Sequence, residues 1–155
     1  MTAAEMTSIE KRMLIRAPRA RVWRALTETG EFARWFGVEM TGTFQPGARL
    51  EMKSTHEGEC KGESTWVEVQ EMTPERTFSW RWHPGVRQPD VDYSQEPTTL
   101  VEFRLEDAEG GTLVTVTETG FDRISLARRA AVFAQNEAGW TSQMKSLESY
   151  VGQAQ

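Results

Sequence analysis

From Ser125 to Val151 the chain runs without a proline, and Phe133, Trp140, Met144, Leu147 and Val151 fall along one side of the helix that this spacing predicts. At 1.5 Å per residue such a helix extends about 40 Å, enough to cross a whole sheet. Ser125 stands where an N-cap belongs. Gly139 interrupts the stretch at a cost of roughly 1 kcal/mol relative to alanine, so it is expected either to bend the helix or to admit something close to its backbone. A long helix with one apolar stripe needs a broad apolar surface to lie on, and the residues before it supply one.

Between Val38 and Phe121 alternation of apolar and polar residues takes over, with turns marked at Pro46-Gly47, Glu57-Gly58, Thr73-Pro74 and Gly110-Gly111. Strands are expected over 39–44, 49–56, 62–72, 76–83, 98–106 and 112–119. Leu50 and Met52, Val67 and Val69, Phe78, Trp80 and Trp82, Val101, Phe103 and Leu105, and Val114 and Val116 hold alternate positions, so each strand presents one apolar face. Ahead of this meander, Ser8 to Arg16 reads as a first strand ended by Pro18, which also suits the first turn of a helix carrying Val22, Trp23 and Leu26 on one stripe. Phe32, Trp35 and Phe36 recur at helical spacing until Gly37, which predicts a second short helix. The whole chain, 1–155, is expected to form one domain with its core at about 9–151.

Charge and cysteine usage narrow the function classes. A formal net charge of −5 repels nucleic acid and anionic membrane surfaces, so neither is expected as a partner. Cys60 is the only cysteine, which rules out an intramolecular disulfide and suits a reducing compartment. The residues Met1 to Met6 lack the basic start and apolar stretch of a secretory signal, and the longest apolar run, Ala130 to Ala134, is far short of a membrane span. A cytoplasmic location is expected.

The order strand, two short helices, six strands and one long helix resembles the START-like, or SRPBCC, superfamily, whose α+β helix-grip fold wraps a curved antiparallel sheet around a C-terminal helix. Ala17-Pro18, then Val22-Trp23-Arg24-Ala25-Leu26-Thr27, then Trp35-Phe36-Gly37 look like the opening of the bacterial family named after the activator of the heat-shock-protein ATPase. Glu118-Thr119-Gly120-Phe121 and Gly139-Trp140 look like its close. The resemblance implies a cavity between sheet and helix, used across the superfamily for lipids, polyketides, plant hormones and other apolar molecules. Some relatives are cyclases or hydrolases, some carriers or sensors, and the eponymous members stimulate a chaperone's ATPase. A homodimer and a chaperone partner therefore stay open.

The residues themselves favour binding over catalysis. Trp80 and Trp82 share a face with Phe78 and Phe103 and can stack on a ring-bearing ligand or simply pack as core. Val116 lies on the same covered face, Trp140 approaches it from the long helix, and Glu118 falls there by strict alternation, where a carboxylate needs a polar partner. His56, near a strand end, is a candidate ligand anchor; His83 is a weaker one. The expected ligand site is thus Trp80, Trp82, Phe103, Val116, Glu118, His56 and Trp140, holding a small apolar ligand.

No cofactor or metal is expected: His83, Asp90 and Asp92 lack a ligand spacing, and there is no Gly-x-Ser-x-Gly elbow, phosphate-cradling glycine loop or His-Glu-x-x-His motif. No catalytic residue is assigned. Arg16, Arg19, Arg21, Arg24 and Arg34 read as the charged face of the first helices. The stretch Pro84 to Pro97 is long for a hairpin connection, as lids and binding loops are.

Overall fold

The computed structural model describes residues 7–55, 64–85 and 92–153. Among them the elements run β1 (Ser8–Ile15), α1 (Arg19–Thr27), α2 (Thr29–Phe36), β2 (Val38–Met40), β3 (Arg49–Ser54), β4 (Ser64–Thr73), β5 (Thr77–Trp82), β6 (Thr99–Ala108), β7 (Gly111–Thr119), a 3-10 turn (Phe121–Arg123) and α3 (Leu126–Gln153). The strands form one antiparallel sheet in the order β1-β7-β6-β5-β4-β3-β2. Consecutive strands from β2 to β7 pair as antiparallel neighbours, and β1 joins at the far edge by pairing with β7, Ser8 opposite Thr119 and Ile15 opposite Thr112. This is the α+β helix grip expected from the order of elements, with a curved sheet wrapped around the C-terminal helix.

One strand expectation is corrected. The segment 39–44 is extended only over Val38–Met40, because Gly42 takes a left-handed backbone with φ of 100° that a pleated strand does not tolerate. Phe44 is nevertheless buried, so the chain leaves the sheet but returns its aromatic ring to the core against Phe32 and Phe78. The register between β4 and β5 shifts between Val69 and Glu71, a bulge that keeps Val69 opposite Trp80 and Met72 opposite Phe78.

Both short helices pack through the stripes their sequences show. Val22, Ala25 and Leu26 of α1 and Phe32, Trp35 and Phe36 of α2 are buried. The Trp35 indole N–H donates to the Ala25 carbonyl at 2.8 Å, and Gly37, left-handed at φ of 78°, ends α2. The free carbonyls at the end of α2 are taken up by α3: Ser146 Oγ donates to Trp35 O at 2.6 Å and Gln143 Nε2 to Phe36 O at 2.8 Å. The long helix buries Val132, Phe133, Trp140, Met144, Leu147 and Val151, the expected stripe with Val132 added. A large apolar side chain so buried contributes roughly 1.5–3 kcal/mol relative to exposure. Among the described residues no helix is long and apolar enough to cross a membrane.

The expectation for Gly139 is also corrected. A Cβ placed on it meets nothing within 4 Å, the residue is exposed, and α3 runs through it unbroken, so no close approach explains it.

Candidate functional site

The face that α3 covers is built by three neighbouring strands in register. Phe78 lies opposite Phe103, Trp80 opposite Val101 and Trp82 opposite Thr99; on the next strand Phe103 lies opposite Val116 and Val101 opposite Glu118. Alternation therefore delivers Trp80, Phe103, Val116 and Glu118 to one surface, where all four are fully buried. From the opposite side α3 brings Trp140, which is buried, and Asn136, one turn earlier and half-exposed.

Glu118 is the only carboxylate buried among the described residues, and neutral donors surround it. Its Oε1 accepts from the Trp140 indole N–H at 2.8 Å and from Asn136 Nδ2 at 2.9 Å. Its Oε2 accepts from the Thr99 hydroxyl at 2.5 Å, the Trp82 indole N–H at 2.9 Å and Asn136 Nδ2 at 3.0 Å. Two donors belong to the sheet and two to α3, so the carboxylate clamps the helix to the strands. Without these bonds its burial would be costly. Both oxygens are occupied by protein donors, and no lone pair is left to serve as a general base toward a substrate.

Aromatic rings fill the rest of the surface. Trp80 sits at their centre, 5.7 Å from Phe32, 6.3 Å from Phe36, 5.5 Å from Trp82, 5.6 Å from Phe103 and 6.4 Å from Trp140 between ring centroids. The sheet and α3 thus enclose a hydrophobic, aromatic-lined cavity, with Phe36, Trp82, Phe103 and Trp140 as neighbouring rings of its lining. Among the described residues, two buried polar atoms on this face have no hydrogen-bond partner, Trp80 Nε1 and Thr65 Oγ1. Thr65 shares its side of β4 with Val67 and Val69 and lies opposite Met52 of β3.

The structure brings together Trp80, Trp82, Phe103, Val116, Glu118 and Trp140 of the expected set, while His56 lies outside the described residues. Trp82 takes a second role that alternation does not show, donating to Glu118 as well as contributing a ring. Thr99 and Asn136 were missed. Their signal was a polar residue within an apolar series: Thr99 precedes Val101 and Phe103 at strand spacing, and Asn136 stands four residues before Trp140.

The neighbourhood of the long loop packs on the start of α3. Arg128 donates to both carboxylate oxygens of Glu96, at 2.7 and 3.0 Å, and its guanidinium carbon lies 4.8 Å from the Tyr93 ring centroid. At the other end, a Cβ on Gly85 would come within 3.2 Å of Val132. Residues 86–91, including Asp90, lie outside the described set. His83 is buried with its ring 5.2 Å from that of Trp66. Among the described residues no group of three or more His, Cys, Asp or Glu is placed to hold a metal ion.

A second carboxylate joins α3 to the short helices. Glu31 accepts from Arg21 at 2.9 Å, Arg24 at 2.8 Å and the Tyr150 hydroxyl at 3.0 Å. Burial pushes its carboxyl up, but the hydrogen bonds from Tyr150 and Arg21 and the charges of both arginines outweigh that and hold it below the ordinary range.

A curved sheet gripping a long helix over an aromatic interior defines a START-like helix-grip protein. The chain belongs to the Activator of Hsp90 ATPase homolog 1-like protein family, whose profile matches residues 16–152. No curated protein matches the sequence. Among solved structures, MLL2253 from Mesorhizobium loti is 22% identical with a TM-score of 0.76, covering 96% of this chain and 98% of that one. The Aha1 dimer from Colwellia psychrerythraea is 19% identical with a TM-score of 0.70, over 93% of this chain and 95% of that one. DynU16, from the dynemicin biosynthetic locus, is 24% identical with a TM-score of 0.73, and the match covers 96% of this chain but 48% of DynU16. These likenesses show the shared fold.

Proposed function

We propose that this protein binds a small, largely apolar, ring-bearing ligand between its sheet and α3, as a carrier or sensor rather than an enzyme. The observation that carries the reading is the ring cluster centred on Trp80 and covered by α3, an arrangement suited to stacking on an aromatic guest. Trp82 and Asn136, both half-exposed, mark the side from which a guest reaches the interior. Catalysis is disfavoured by Glu118, whose oxygens are committed to holding α3.

Freshly purified protein examined by native mass spectrometry is expected to carry a small molecule. In a thermal-shift screen, polycyclic aromatics are expected to raise the melting temperature, since a ligand selective for the folded state stabilises it by mass action. A protein free of adducts, whose melting temperature no compound moves, contradicts the reading.

An interaction module for a chaperone would instead present a contiguous exposed apolar patch. The large exposed hydrophobics among the described residues, Leu14 and Leu126, lie at opposite ends of β7, Leu14 beside Leu113 and Leu126 beyond Thr119. They do not form one patch. The dimer of the Colwellia relative makes self-association the partner to test next, by light scattering on the eluting protein.

A further inference from the structure

Three indoles are grouped on the covered face, and they differ in what their N–H groups do. Those of Trp82 and Trp140 are committed to Glu118. That of Trp80, a residue with no exposed surface, has no acceptor. Indole nitrogen only donates, and a buried donor without an acceptor lowers the stability of the free protein. A phenyl ring would fill the centre of the cluster without that penalty.

A trapped water is a poor remedy, because a buried water needs two to four polar partners. The rings packed around Trp80 are phenyl groups or the two indoles already donating to Glu118. On the adjacent strand, Thr65 Oγ1 is a second buried polar atom without a partner on the same face.

Resting on the reading that the helix grip holds an aromatic guest, we propose that this guest carries a hydrogen-bond acceptor, a ring carbonyl oxygen, and that the Trp80 indole N–H binds it. The apolar walls supply affinity for the ring system, and Trp80 selects those rings that bear an oxygen. Thr65, able to donate or accept, lies within the same surface for a second polar substituent.

Fluorenone and fluorene share one tricyclic skeleton and differ in a carbonyl replaced by a methylene. Calorimetric titration of the full chain is expected to show fluorenone binding roughly threefold to tenfold tighter, the range of one net hydrogen bond. Trp80→Phe is expected to abolish the preference, so that fluorenone and fluorene bind equally whatever the change in affinity common to both, whereas Trp66→Phe, on the other face of β4, preserves it. Equal binding of both compounds by the unaltered protein overturns the acceptor proposal and leaves the ligand reading standing. If neither compound binds nor raises the melting temperature, both fall. Because the comparison is made first on the unaltered chain, poor folding of Trp80→Phe does not remove the test.

Discussion

Glu118 and Glu31 both fasten α3 to the elements it covers, the first through Asn136 and Trp140, the second through Tyr150 near the helix end. Glu118 is fully buried and held by four neutral side chains; Glu31 is held by two arginines and a hydroxyl, with Arg24 largely in solvent. The inner carboxylate is shut off from solvent and bonded to sheet and helix alike, so it sets the position of the helix over the sheet. The outer one gains from charge, and its pairing with the exposed Arg24 is open to screening by salt. The interior is thus organised by hydrogen-bond geometry and the rim by electrostatics.

Perturbations rank accordingly. Trp140→Ala removes a buried ring together with a donor to Glu118, and chemical denaturation is expected to show a loss of about 3–5 kcal/mol. A loss below about 1 kcal/mol would mean that the helix does not rest on the sheet through this ring. Glu118→Gln keeps the shape but turns one acceptor into a donor facing other donors, and a loss of roughly 1–3 kcal/mol is expected, little changed by added salt. A strong salt dependence of that loss would erase the contrast between the two carboxylates.

Gly139→Ala, between Asn136 and Trp140 on the solvent side, is expected to raise stability by roughly 0.5–1 kcal/mol, because nothing stands where its methyl group goes. Destabilisation would show that the helix requires flexibility there. Smallest is Glu31→Gln, with a loss of roughly 0.5 kcal/mol at neutral pH that shrinks in salt. Its carboxyl is held below the ordinary range, so its stabilising effect is full above the unfolded-state value and disappears as pH falls through the lowered one. Denaturation midpoints of the two proteins are therefore expected to converge in acid; a gap that widens in acid contradicts the arrangement.

The covered face was readable because two periods are strict. Alternation placed Trp80, Phe103, Val116 and Glu118 together, and helical spacing placed Trp140 over them. The partners of Glu118 were not readable as such. Thr99 reaches Glu118 from the neighbouring strand and Asn136 reaches it from α3, pairings that no local spacing encodes, and the polar interruptions they make in apolar series resemble ordinary surface positions. The overrun of β2 has a local cause: the apolar alternation continues past Met40 to Phe44, while the left-handed Gly42 turns the chain out of the sheet. The pairing of the long loop with α3 through Glu96 and Arg128 depends on chain folding and left no periodic trace.

The six tryptophans give the most direct measurement, because each indole N–H contributes its own signal to a proton–nitrogen correlation spectrum. Titration with fluorenone is expected to move the Trp80, Trp82 and Trp140 signals together, Trp80 furthest, while Trp66 on the opposite face of β4 stays in place. Binding between the sheet and α3 is contradicted if all six signals remain fixed at saturating compound, or if Trp66 moves while the three interior indoles do not.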